Sequence, residues 1–191
     1  MLALLADFVR ENESEFILVS IKEDADPVNS DKDFTEVLEA MLLSYPEVSR
    51  GRELPETVGD ARGKLHILAR YYGSSIGVNC YSGWRDDTAF ELGNIYVQDN
   101  YCVESSTEKM ADIRATYTKA IEERYSLVLN FTSCYLDSSF PPIYAGLPAH
   151  DINPDIMAAL SGEYAAGSVG VLVCDFMTAE LADSIIRRNF S

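Results

Sequence analysis

Five short apolar runs constrain this chain more than any other feature. They are Phe16 to Ile21, Leu65 to Ala69, Asn94 to Gln98, Ser126 to Phe131 and Val169 to Cys174. Each is continuous rather than alternating, as in strands covered on both faces. Helical periodicity lies between them. Phe34, Val37, Leu38, Met41 and Leu42 recur along one face of a helix predicted over Phe34 to Leu43. Further helices are predicted over Glu108 to Glu123, Ile152 to Leu160 with Pro154 in the first turn, and Thr178 to Arg188. The opening segment places Leu2, Leu5 and Val9 at helical spacing. It reads as the middle of an amphipathic helix, so an earlier portion of the molecule is expected to precede it. Alternating strands and helices predict an α/β fold with a parallel sheet or barrel. At 191 residues, 47% of them hydrophobic, the chain suffices for one sizeable core and reads as a single domain over 1–191.

The ends of the runs carry the chemistry. The first ends in Lys22, the second in Arg70, and the third in Asp99 with Tyr101 just beyond. The fourth ends in Thr132 and Ser133, the fifth in Asp175. In a parallel barrel the C-terminal strand ends converge on one mouth. Cations, carboxylates and hydroxyls facing one pocket suit a polyhydroxylated, anionic ligand, because cations neutralise phosphate and carboxylates accept from hydroxyls.

Several classes are disfavoured. A net charge of −16 repels nucleic-acid backbones and anionic membranes alike. A lipid would therefore be met through apolar contacts or a local basic pocket. No stretch of about 20 apolar residues is present, and the opening lacks the basic region of a signal peptide. Cys80, Cys102, Cys134 and Cys174 form no Cys-x-x-Cys pair, which argues against zinc. Cys80 and Cys102 could pair in a secreted protein, and Cys174 reads as a buried small hydrophobe. Gly59 to Lys64 has the wrong spacing for a phosphate loop. Asn130-Phe131-Thr132 matches a glycosylation pattern at a strand end expected to be buried; Asn12-Glu13-Ser14 matches it on a surface turn.

Seven segments, in order, resemble the bacterial phosphatidylinositol-specific phospholipases C. They are Glu11 to Lys22 with its strand ending Ser-x-Lys, Gly59-Asp60-Ala61-Arg62-Gly63-Lys64 before a strand ending Arg70-Tyr71, and Gly83-Trp84-Arg85-Asp86-Asp87. Then follow Val97-Gln98-Asp99-Asn100-Tyr101, Asn130-Phe131-Thr132-Ser133, Ile152-Asn153-Pro154 and Asp175-Phe176. The resemblance implies part of a distorted TIM (β/α) barrel of the PLC-like phosphodiesterase type, lacking the first strands. It also implies cleavage of phosphatidylinositol to diacylglycerol and a cyclic inositol phosphate, with two histidines moving the protons.

By the same resemblance, Lys22, Arg70, Asp99 and Tyr101 hold the inositol ring, with Tyr101 against its face. Trp84 and Asp86 belong to a loop at the pocket mouth, where Arg85 stands in place of the family's proline. Asp175 orients the general-base histidine. Lysine at position 22 implies the metal-independent type, with no calcium and no other cofactor. The implied partners are a phosphatidylinositol or inositol-phosphate headgroup and, transiently, a membrane surface. The family is secreted or extracellular. The two histidines here, His66 and His150, stand outside the family's histidine contexts. His66 reads as a packing or outer-face residue in mid-strand, and His150 as a loop residue before Ile152. The catalytic histidines are expected upstream of Met1, in a barrel half that another segment would supply. The chain alone is then expected to be inactive. The alternatives are a catalytically silent headgroup-binding module and a truncated fragment.

Overall fold

A computed structural model describes residues 1–26, 28–122, 125–137 and 143–190. The chain divides into two compact units, Met1–Trp84 and Arg85–Ser191. In the first, α1 (Leu2–Glu11) leads into β1 (Ile17–Lys22), followed by α2 (Phe34–Leu43), α3 (Val58–Ala61), β2 (Leu65–Arg70) and β3 (Val78–Asn79). The three strands form a parallel sheet in that order, with Ile17 opposite Leu65 and Lys22 opposite Arg70. Side chains alternate across a strand. One face of β2 therefore carries Leu65, Ile67 and Ala69, which pack with Ala6 and Val9 of α1 and Leu42 of α2. Burying each large aliphatic among these contributes about 1.5–3 kcal/mol.

The second unit runs β4 (Ala89–Leu92), β5 (Ile95–Gln98), β6 (Cys102–Val103), α4 (Ser106–Glu122), β7 (Leu127–Phe131), β8 (Tyr135–Leu136), α5 (Gly146–Ser161), β9 (Val171–Val173) and α6 (Ala179–Ile186). A sheet of order β4-β5-β7-β9 is parallel except for β4, which forms a hairpin with β5. A second, two-stranded parallel sheet joins β6 and β8. Met110, Ile113 and Tyr117 of α4, Ile152 and Ile156 of α5, and Leu181 of α6 make the core of this unit.

All five predicted strands form within one or two residues of their expected ends, except that β9 is shorter. Neighbours among them pair in parallel, β1 with β2, β5 with β7 and β7 with β9. In their hydrogen bonding the five fall into two sheets, β1 and β2 in one and β5, β7 and β9 in the other. β2 and β7 are buried nearly throughout, as continuous apolar runs require. β1 and β9 are not: each is an edge strand, and Val171 and Val173 are 38% exposed.

Helix α2 spans the predicted residues, though only Leu42 of its apolar face is fully buried. α4 begins two residues earlier than expected, and its predicted last residue, Glu123, lies outside the described residues. α5 starts six residues before Ile152 and passes through Pro154, which is therefore interior rather than in the first turn. Pro148 occupies the first turn instead, where a missing N–H costs nothing. Thr178 caps α6, its Oγ1 accepting from the Leu181 amide.

The edge position of β1, with Ile17, Leu18, Val19 and Ile21 half-buried, leaves a row of backbone groups open to pairing. The isolated chain is expected to self-associate in sedimentation velocity runs at micromolar concentration. A single monomer species at every concentration would rule this out.

Candidate functional site

The predicted ligand residues fall into two sets, one in each unit. In the first, parallel register sets Lys22 directly opposite Arg70 at the C-terminal ends of β1 and β2. Adjacent parallel strands lie about 4.8 Å apart, so the two side chains leave the same face close together. Each cation has a local partner. Lys22 Nζ lies 2.7 Å from Asp24 Oδ1. The Arg70 guanidinium lies 4.0 Å above the centre of the Trp84 ring. Stacking on an indole attracts the cation while leaving its N–H donors arrayed around the edge of its plane. Trp84 is itself fixed by donation from its amide to the Cys80 carbonyl, 3.0 Å away.

The loop beyond β2 is pinned by Glu39. Burial pushes this carboxylate upward in pKa, but donation from Ser75 and the Ile76 amide outweighs burial and holds it below its ordinary value. Tyr71, fully buried beside it, is pushed up to about 12 by burial and by the Glu39 charge.

In the second unit β5 ends at Gln98, and the chain turns through Asp99 and Asn100 to Tyr101. Tyr101 is held at both ends. Its amide and that of Cys102 donate to Asp87 Oδ1 at 2.8 and 2.9 Å, and its hydroxyl donates to Asp86 Oδ2 at 2.9 Å. The Asp86 hydrogen bond raises the Tyr101 pKa, with burial and the charges of Asp86, Asp87 and Asp99 acting the same way. Asp87 takes a positive φ of 47°, which aims its carboxylate at both amides. Tyr101, Ser133, Tyr135, Tyr144 and Asp175 line an open cavity of about 240 Å³. Its aromatic wall is continuous, with ring centres 6.1 Å apart from Tyr101 to Tyr135 and 6.0 Å apart from Tyr135 to Tyr144. The Asp175 carbonyl accepts from Asn153 Nδ2 at 3.1 Å, tying the end of β9 to α5.

The structure thus brings together Lys22, Arg70 and Trp84 in one unit and Asp86, Tyr101 and Asp175 in the other, with Asp99 acting on Tyr101 through its charge. Sequence reasoning missed Asp87, Tyr135 and Tyr144. The repeated aspartate after Arg85 was the available signal for Asp87, since a second carboxylate in a turn commonly binds backbone amides.

Neither histidine is among the residues lining the cavity or flanking Arg70. His66 is buried, with Nε2 2.9 Å from the Ala61 carbonyl and its ring edge-on to Phe16 at 6.2 Å. It is a packing residue as expected, but alternation puts it on the Arg70 face rather than the helix-covered one. Four residues along a strand separate it from Arg70 by about 13 Å. His150 lies in the first half of α5, not in a loop, and its side chain is 86% exposed.

All four cysteines are free thiols, and Cys174 is partly buried against the core. Asn130 is buried and engaged by Gln98 and Ile113, which excludes its use as a glycosylation acceptor in the folded unit. Among the described residues no group of three or more His, Cys, Asp and Glu is arranged to hold a metal ion. Likewise no described helix is long and apolar enough to cross a membrane. A larger hollow, about 390 Å³, lies at the opposite, N-terminal end of β2 beside Arg10, Glu47 and Lys64, away from the predicted residues of that unit.

No protein-family model matches the chain. Solved structures do. The phosphatidylinositol-specific phospholipase C of Staphylococcus aureus superposes with a TM-score of 0.77 at 21% identity, over 96% of this chain and 69% of that one. A structure concerned with modulation of that enzyme's membrane binding gives the same TM-score at 20% identity. The Listeria monocytogenes enzyme superposes with a TM-score of 0.75 at 21% identity, over 98% of this chain and 68% of that one. This chain therefore has the fold of part of the distorted (β/α) barrel of the bacterial phosphatidylinositol-specific phospholipases C, spanning just over two-thirds of the length of those enzymes.

Proposed function

We propose that this is a phosphodiesterase-related protein that binds the inositol headgroup of phosphatidylinositol. The observation that carries this is Tyr101, clamped by Asp86 and Asp87 and lining the same cavity as Asp175. A rigid aromatic face with carboxylates at its edge suits a ring whose faces are C–H and whose rim is hydroxyl. Asp99 and Asp86 accept from ring hydroxyls; in the other unit, taken by itself, Lys22 and Arg70 present charged donors suited to a phosphate. Trp84 holds the Arg70 plane.

Cleavage of phosphatidylinositol forms a bond from the inositol 2-oxygen to phosphorus and breaks the bond from phosphorus to the glycerol oxygen. The 2-hydroxyl proton needs a base, and the departing alkoxide needs an acid. His66 is committed to Ala61 inside the core, and His150 points to solvent. Neither serves, and Asp175 is left to orient a histidine that these 191 residues do not supply. The purified chain is therefore expected to release no cyclic inositol phosphate from phosphatidylinositol vesicles, yet to bind myo-inositol weakly. Asp86→Ala is expected to weaken that binding roughly tenfold, the loss of one charge-assisted hydrogen bond of about 1.5 kcal/mol. Two results would sink the reading: no shift of any resonance at millimolar myo-inositol, or cyclic phosphate release that survives loss of both histidines.

A further inference from the structure

Lys109, in the first turn of α4, is fully buried, and its role is not explained by packing alone. Its Nζ donates to Gln98 Oε1 at 2.9 Å and to the Asn100 carbonyl. Gln98 Oε1 also accepts from the Asn100 amide at 2.8 Å, so one oxygen gathers both ends of the turn. Gln98 Nε2 donates onward to Asn130 Oδ1 at 2.8 Å and to the Phe131 carbonyl at 2.9 Å. Asn100 Nδ2 donates to Asp112 Oδ2 on α4 at 2.8 Å. The turn from Gln98 to Tyr101 is thereby fastened to β7 on one side and α4 on the other. Lys109 sits at the node of this network and supplies its positive charge.

We propose that Lys109 is a positioning residue, whose buried ammonium fixes the turn that presents Asp99 and Tyr101 to the ligand. The proposal rests on the headgroup reading of the cavity. Burying an ammonium among neutral acceptors is unfavourable, and a methionine of similar shape would fill the space without that penalty. What methionine lacks is donors. It would leave the Asn100 carbonyl and one lone pair of Gln98 unsatisfied and the turn free to shift. Asp99, Asp87 and Asp112 supply the compensating charge around the ammonium, with the Cys134 thiol also close by.

The test is ring-carbon NMR on the full chain carrying labelled tyrosine, with Tyr101 assigned by Tyr101→Phe. In Lys109→Met the Tyr101 resonances are expected to shift or broaden, while Tyr117 and Tyr164 in the core of the same unit stay in place. Myo-inositol, titrated against both proteins, is expected to bind the variant about tenfold more weakly or worse. A Tyr101 signal unchanged in a folded Lys109→Met protein overturns the proposal. So does movement of Tyr101, Tyr117 and Tyr164 together, which is the mark of general loosening. If Lys109→Met does not fold, the lysine is titrated instead in a Cys102→Ser background, which removes the thiol hydrogen-bonded to Tyr135 in the cavity wall. Charge-assisted bonds are about twice as strong as neutral ones, so losing the proton slackens the clamp. Tyr101 is then expected to follow the midpoint of labelled Lys109, and a Tyr101 signal flat through that midpoint overturns the proposal. Failure of the headgroup reading looks different: myo-inositol moves no tyrosine in the unaltered protein, while the dependence of Tyr101 on Lys109 remains measurable.

Discussion

Replacing Lys109 by methionine is expected to abolish a rise in stability of about 3 kcal/mol between pH 8 and pH 10.5. Burial lowers the lysine to about 8 in the folded unit from an ordinary 10.5, opposed by Cys134, Asp112, Asp99 and Asp87. A base whose folded pKa is depressed holds fewer protons folded than unfolded between those two values. Stability therefore climbs as pH rises across that window, by about 1.4 kcal/mol per pH unit. Below pH 8 both states are protonated and the full penalty of the buried charge is present; above 10.5 it is gone. Buried acids work the other way. Tyr117 and the Cys134 thiol, both raised by burial, stay protonated when folded and ionise earlier when unfolded, so they erode stability as pH rises. The difference between the unaltered and Lys109→Met proteins cancels the Tyr117 contribution and leaves the lysine together with the Cys134 thiol that its charge acts on. The measurement is urea unfolding at half-unit pH steps, followed through the tyrosine signals of the second unit. Parallel curves for the two proteins would mean that Lys109 is not a strained, charged group.

That lysine also shows where sequence reasoning reached its limit. The runs at Leu65 and Ser126 were legible as strands because both faces of β2 and β7 are buried, which is what an unbroken apolar run encodes. The exposure of β9 was not legible, because an edge strand of the same composition reads identically. The hairpin of β4 with β5 was overlooked. Ala89 to Leu92 is a short alternating segment, and Asn94 of the Gly93-Asn94 turn that marks it reads as the first residue of the strand that follows. At the site, Tyr101, Asp86 and Asp175 were visible through resemblance, and each makes a hydrogen bond that ties it to its surroundings. Asp87 and Lys109 were not visible, for opposite reasons. Asp87 acts on backbone amides, and its one trace in the sequence is the aspartate repeated after Arg85. Lys109 shares a helical stripe with Met110, Ile113, Thr116 and Tyr117, but a lysine there reads as the wet edge of the face, since lysine is rarely buried. Its place four residues before Ile113 was the one available sign.

The largest single-residue effects are expected not from the site but from two glycines that let strands meet. Gly77, just before β3, has φ of +78°, and an added Cβ would collide with the Ile67 carbonyl oxygen of β2. Gly170, just before β9, has φ of +77°, and its Cβ would stand 2.7 Å from the Val128 carbonyl oxygen of β7. Each glycine thus precedes a strand that pairs with the very strand it would strike. Alanine at either position adds left-handed strain of about 1–2 kcal/mol to a backbone collision. Overpacking adds about 1–3 kcal/mol and is not relieved here by a side-chain rotation, because the struck atoms belong to a paired strand. Gly77→Ala and Gly170→Ala are therefore each expected to destabilise their own unit by about 3 kcal/mol or more. Gly93 provides the control. Its φ is +57°, yet nothing lies within 4 Å of its Cβ, so Gly93→Ala is expected to show only the strain. Gly170→Ala carries a second consequence. β9 leads within two residues to Asp175, so displacing it from β7 moves that carboxylate off the cavity wall. The double comparison is urea unfolding of all three variants with myo-inositol binding measured on those that fold. Equal destabilisation by Gly93→Ala and Gly170→Ala would show that the close approach of β9 to β7 has little energetic weight, and that Asp175 is placed by something other than this contact.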